Sequence, residues 1–152
     1  MGFPVMGADP GVEGGLAILR GDGTIVHLRA FQPSMTRADM NNALRLAAQI
    51  LRAEGGNVAF LEKVGHRPTD GGQGGFTFGR VYGWIEIGLT AHGIVVKDVY
   101  PQMWQAKLDC MTAGNKNVSK RKAMELWPHE KWTHAVADAA LIAEYGRRRL
   151  ML

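Results

Sequence analysis

Met6-Gly7-Ala8-Asp9-Pro10-Gly11 runs directly into Val12-Glu13-Gly14-Gly15-Leu16-Ala17-Ile18-Leu19. Apolar residues lead to one carboxylate, the carboxylate meets a Pro-Gly turn signal, and a second apolar run leaves through Gly14-Gly15. The stretch predicts a hairpin whose first strand ends on Asp9. A carboxylate on a rigid strand, flanked by glycines that keep other side chains clear, suits a hard cation used in phosphate chemistry. Aspartate also opens turns for purely conformational reasons, so its role depends on what the rest of the chain brings to it.

Residues 3–9, 14–20 and 24–31 read as three short strands in a meander, with Gly21-Asp22-Gly23 as the second hairpin signal. Residues 36–53 read as a helix, capped by Ser34 or Thr36, with Asp39 in capping-box position and Gly55-Gly56 as its stop. Residues 57–62 form an apolar run that suits a strand buried on both faces, and it ends on a second carboxylate, Glu62. Lys63 is its simplest partner, but adjacent strand residues point to opposite faces.

Residues 64–75, with five glycines, a proline, His66 and Arg67, read as a loop without regular structure. Residues 76–92 read as a helix with Phe78, Tyr82, Ile85 and Leu89 at helical spacing. Gly79 and Gly83 lie four apart on one side of it. Glycines weaken a helix, so they point to a close approach by another element or subunit. Residues 94–99 read as a strand, and Tyr100-Pro101 starts a short helix containing Trp104. Thr112 to Lys122 reads as a polar basic loop running into a helix that ends near Trp127-Pro128. Residues 133–149 read as the last helix. His134 and Asp138, four apart, share a face of that helix. Arg147-Arg148-Arg149 sits where cations favour the helix dipole.

The chain of 152 residues fits one domain. Its single cysteine, Cys110, excludes an internal disulfide and fits a reducing compartment. No secretory leader pattern and no membrane-spanning apolar run is read, so the expected location is the cytoplasm. The formal charge is +4. Residues 1–106 are neutral, whereas residues 107–152 carry nine Lys/Arg against five Asp/Glu. A basic C-terminal third on a neutral body suggests a polyanion partner.

This element order implies an α/β protein with a mixed sheet and helices on its faces. If the first and fourth strands are parallel neighbours, Asp9 and Glu62 share one sheet end, and the last helix brings Asp138 towards them. Three carboxylates at such range repel one another without a cation. With two Mg²⁺ they would serve in-line displacement at a phosphodiester.

Five motifs in this order resemble the RuvC-type Holliday junction resolvases, most closely their short bacteriophage and prophage versions. They are Gly7-Ala8-Asp9-Pro10-Gly11, Phe60-Leu61-Glu62-Lys63-Val64, Phe76-Thr77-Phe78-Gly79-Arg80 with Gly83, Tyr100-Pro101 with Trp104, and Ala137-Asp138-Ala139-Ala140. The resemblance implies a ribonuclease-H-like five-stranded mixed sheet. It also implies a homodimer that cuts four-way DNA junctions in recombination and repair, with two Mg²⁺ or Mn²⁺ per active site. It makes Asp9, Glu62 and Asp138 metal ligands. The family's further acid, shortly before its last aspartate, is absent: position 135 is Ala and position 134 is His. His134 is the candidate replacement, as ligand or water-positioning group. Lys107, Lys116, Lys120, Arg121 and Lys122 are candidate phosphate contacts, so binding should weaken steeply with salt. Arg67, Phe76 and Arg80 are candidate contacts near the junction centre, and Gly79 with Gly83 the candidate dimer contact.

Two alternatives stay open: a junction-binding protein that does not cut, and a nuclease of this fold acting on other branched DNA or structured RNA. An actin-like nucleotide-binding protein also carries an Asp-Pro-Gly phosphate loop, but 152 residues are too few for its two lobes.

Overall fold

The computed structural model describes residues 2–63, 65 and 71–151. Strands β1 (Val5–Asp9), β2 (Gly15–Leu19) and β3 (Ile25–Ala30) form the antiparallel meander. The first turn is closed by Gly14 N–H donating to Gly11 O at 2.8 Å, the second by Gly23 N–H donating to Arg20 O at 2.9 Å. After α1 (Arg37–Ala53), β4 (Val58–Glu62) returns parallel to β1. After α2 (Gly72–Ala91), β5 (Val95–Val99) pairs parallel with β4. The sheet order is β3-β2-β1-β4-β5. Helices α3 (Pro101–Lys107), α4 (Asn117–Leu126) and α5 (His134–Leu150) complete the chain.

The period of two along each strand sorts side chains between two apolar layers. Met6, Ala8, Leu16, Ile18, Ala59 and Leu61 pack with the buried stripes of α1 and α2. Val5, Ala17, Leu19 and Phe60 pack with α5 on the opposite face. Fully buried leucines such as Leu44 and Leu51 each contribute about 1.5–3 kcal/mol of transfer free energy.

Of the two candidate caps, Thr36 caps α1. Its hydroxyl accepts from Asp39 N–H at 3.1 Å, and the Asp39 carboxylate accepts from Thr36 N–H at 2.8 Å. The helix ends in a Schellman arrangement, with Gly56 N–H on Leu51 O and Gly55 N–H on Arg52 O, both at 2.9 Å. Gly55 takes φ +90, in the left-handed region.

Helix α2 departs from the sequence expectation in two respects. It begins at Gly72, so residues 72–75 are helical rather than irregular, and Gly75 N–H bonds to Gly71 O at 2.9 Å. These glycines form only the first turn, and the helix is anchored further on by Val81, Ile85 and Leu89. Cooperative propagation from that packed section offsets their low propensity. The buried stripe also runs through Val81, whereas Phe78 and Tyr82 are only partly buried. Tyr82 is turned to a polar contact, its hydroxyl donating to Asp98 Oδ1 at 2.9 Å.

Helix α5 lies across the middle of the sheet. A Cβ on Gly7 would stand 2.1 Å from Ala139 O and 2.4 Å from Ala143 N. The helix backbone therefore rests on β1 at a distance that only glycine allows. Gly7 sits two residues before Asp9 and Ala139 one residue after Asp138, so this contact fixes how the two aspartates approach. Among the described residues, no helix is long and apolar enough to cross a membrane.

Candidate active site

Asp9 has the parity of Val5 and Gly7, so its side chain leaves the sheet on the α5 face. Glu62 has the parity of Val58 and Phe60 and leaves on the same face. The registered pair Ala8–Leu61 lies one step before them in parallel strands, so both carboxylates stand at one sheet end. Asp138 belongs to the first turns of α5, above that end.

Asp9 Oδ1 accepts from Gly11 N–H at 3.2 Å, so this aspartate also organises the turn. Burial, then the charge of Asp138, raises its pKa from the ordinary 3.8 to about 6, against the Gly11 bond and the charge of Lys116. Burial likewise raises the pKa of Asp138, against the Ser119 hydroxyl and the charges of Lys116 and His134. Ser119 is almost wholly buried, at 1% exposure, and reaches Lys116 O at 3.1 Å. Glu62 is 9% exposed, and Trp104 Nε1–H donates to its Oε2 at 2.6 Å. Lys63 turns away from Glu62 and pairs with Asp98 at 3.4 Å.

His134 is the exposed first residue of α5, within electrostatic reach of Asp138. Lys116, at the start of α4, acts electrostatically on both Asp9 and Asp138. Lys120 and Arg121 line an open hollow of about 430 Å³ with Asn115, Asn117 and Met124. Lys122 follows on the same helix and pairs with Glu125 at 3.3 Å. Lys107 belongs elsewhere, in a hollow of about 450 Å³ formed with Met103, Ala106, Tyr145 and Arg149. Phe76 is 68% exposed, and the Arg80 guanidinium stands 5.9 Å from its ring and 5.1 Å from that of Trp84. A Cβ on Gly79 or Gly83 would meet nothing within 4 Å among the described residues, so the close approach expected there is not made by any of them. Arg67 lies outside the described residues.

Sequence reasoning missed Ser119 and gave Trp104 no role. Trp104 stood in a quoted motif, and a buried indole needs an acceptor. No local signal marks Ser119, because its partner lies on another helix.

A divalent cation fits the three carboxylates in kind: all offer oxygens, and the charge of Asp138 bears on the partly buried Asp9. Among the described residues, no three His, Cys, Asp or Glu side chains are grouped closely enough to hold one ion. Asp9 and Asp138 form the electrostatically coupled pair, and Glu62 shares their face and sheet end.

A mixed sheet of order β3-β2-β1-β4-β5 with helices on both faces, and carboxylates at the ends of β1 and β4, defines a ribonuclease-H-like fold. Within that class, Thermus thermophilus RuvC matches 98% of this chain and 96% of its own, with a TM-score of 0.70 and 16% identity. T. thermophilus RuvC in complex with Holliday junction substrate matches over the same shares, with a TM-score of 0.71 and 15% identity. The chain therefore has the fold of RuvC, as the motif resemblance implied. No family model matches the sequence, and no curated protein matches it in sequence.

Proposed function

We propose that this chain is a divalent-metal-dependent endonuclease that resolves four-way DNA junctions by symmetric nicking, leaving a 5′ phosphate and a 3′ hydroxyl. The observation that carries this is the placement of Asp9 and Glu62 on one face at one sheet end, with Asp138 electrostatically coupled to Asp9, in a RuvC fold. A solved neighbour with that fold is RuvC on a Holliday junction.

Asp9, Glu62 and Asp138, with His134 beside them, would hold two Mg²⁺ or Mn²⁺. Bound there, such ions would supply activation of a water near neutral pH and charge stabilisation for a leaving oxygen. The protein supplies the rest. Gly11 N–H and the Ser119 hydroxyl orient the two aspartates. Lys116, close enough to lower both their pKa values, receives the negative charge of the scissile phosphate. Lys120, Arg121 and Lys122 carry the strand away along α4, and Lys107 contacts a separate stretch of backbone. Phe76 and Arg80 face the junction centre, and Phe76 stacks on an unpaired base.

The open face at Gly79 and Gly83 receives the second subunit. Symmetric cuts need two such sites related by a two-fold axis. Ala135, in place of a further acid, favours the reading in which the protein binds junctions without cutting them; the coupled, undercompensated Asp9–Asp138 pair favours cutting.

The test is incubation of the purified protein with a labelled four-way junction, a linear duplex and a single strand, in Mg²⁺ and in Mn²⁺. Paired nicks confined to the junction are expected. Tight junction binding with no nick in either metal would establish the non-cutting binder.

A further inference from the structure

Trp104 is completely buried on α3, a helix whose start is set by Pro101 at its first position. An indole N–H is a donor without acceptor capacity, and any buried carbonyl satisfies it. Two other indoles in this molecule do just that. Trp127 Nε1–H donates to Gly23 O at 2.9 Å, and Trp132 Nε1–H donates to Trp127 O at 3.1 Å. Trp104 instead donates to a carboxylate, Glu62 Oε2, at 2.6 Å. Satisfying the indole does not explain this choice, because burying a carboxylate costs far more than burying a carbonyl.

We propose that Trp104 is a positioning residue for Glu62: its N–H fixes the rotation of the carboxylate at the end of β4, so that Glu62 meets a divalent cation already oriented. The inference rests on the metal-dependent reading above and names a determinant of metal affinity within it. Partners that orient a ligating carboxylate are commonly worth 10–100-fold in metal affinity. The long glutamate side chain also has rotamer freedom to lose on binding, and Trp104 removes part of that cost in advance.

The experiment is a calorimetric Mg²⁺ titration of the full chain without DNA, in wild type, Trp104→Phe and Asp9→Asn. ¹⁵N spectra of the four indole N–H groups accompany it. Trp104→Phe keeps an apolar ring and deletes the donor. It should weaken Mg²⁺ binding by about tenfold or more and leave junction affinity in EDTA unchanged. In wild type, the Trp104 indole resonance should move as Mg²⁺ is added, and that movement should disappear in Glu62→Gln. This second readout stands even if Trp104→Phe does not fold. Unchanged or tighter Mg²⁺ binding in folded Trp104→Phe overturns the proposal, as does an indole resonance indifferent to saturating Mg²⁺. Binding that depends on Asp9 but not on Trp104 overturns this inference alone. Absence of Mg²⁺ binding in wild type overturns the metal-dependent reading and this inference with it.

Discussion

Helix α5 carries a buried carboxylate near one end and a half-buried one near the other, and the two are treated in opposite ways. Near its C-terminus, Glu144 accepts from Arg147 Nε at 2.7 Å, Arg147 Nη2 at 2.9 Å and Arg148 Nε at 2.7 Å. Burial alone would raise its pKa, but these bonds and charges outweigh burial and hold it below the ordinary value. Arg147 also donates to Gly21 O at 3.0 Å, tying the helix to the β2–β3 turn. About 9 Å away along the helix axis, Asp138 has a serine hydroxyl and more distant cations, and it faces a second half-buried aspartate. A compensated buried charge holds the structure together. An undercompensated pair stores unfavourable energy that a bound cation can release.

The strongest way to break this contrast is to remove divalent metal. In EDTA, junction cutting should fall at least about a thousandfold, while junction binding in a mobility-shift assay persists. Restoring Mg²⁺ or Mn²⁺ should restore cutting. Activity that survives chelation would put the Asp9–Asp138 pair outside the chemistry.

A smaller effect is expected at the other end of α5. Glu144→Ala leaves Arg147 half-buried without its carboxylate and should cost about 3 kcal/mol in urea unfolding. Cutting by the protein that remains folded should be unchanged. The sign of the pH dependence follows from the lowered folded-state pKa. The Glu144 contribution is complete above the unfolded value of 4.5 and is lost as pH falls through the lower folded value. The gap between wild type and Glu144→Ala should therefore narrow in acid.

The smallest effect has the opposite sign. Asp9 binds its proton more tightly folded than unfolded, so its ionisation opposes folding. That penalty is absent below 3.8 and complete above about 6. Without metal, Asp9→Asn should be more stable than wild type by about 1–2 kcal/mol at pH 7. The advantage should vanish as pH falls towards 4. Saturating Mg²⁺ should reverse the order, because wild type alone gains the binding free energy. Equal stability of the two proteins at every pH would mean that the aspartates do not strain the fold.

Much of this was legible in the sequence. Alternation and turn residues marked the strands, and the strand ends marked Asp9 and Glu62. The Thr36–Asp39 capping box was visible as a spacing. Glu144 with Arg147 and Arg148 was also visible, at the i+3 and i+4 spacing of helical ion pairs. The arginine run, however, invited attention only for its relation to the helix dipole. Burial of Glu144 could not be read, because it depends on α5 lying across the middle of the sheet. The approach of Ser119 to Asp138 and the bond from Trp104 to Glu62 join residues that only tertiary packing brings together. The early start of α2 was hidden for a different reason. Local glycine content argues against a helix, and the packing that extends it lies a dozen residues further on.

The most direct measurement compares wild type with Asp9→Asn on the same labelled four-way junction in Mg²⁺, scoring binding and cutting separately. Wild type should make paired symmetric nicks, and Asp9→Asn should bind the junction with similar affinity and leave all four strands intact. Cutting by Asp9→Asn at the wild-type rate would contradict the assignment of Asp9 to a metal centre and the functional reading built on it.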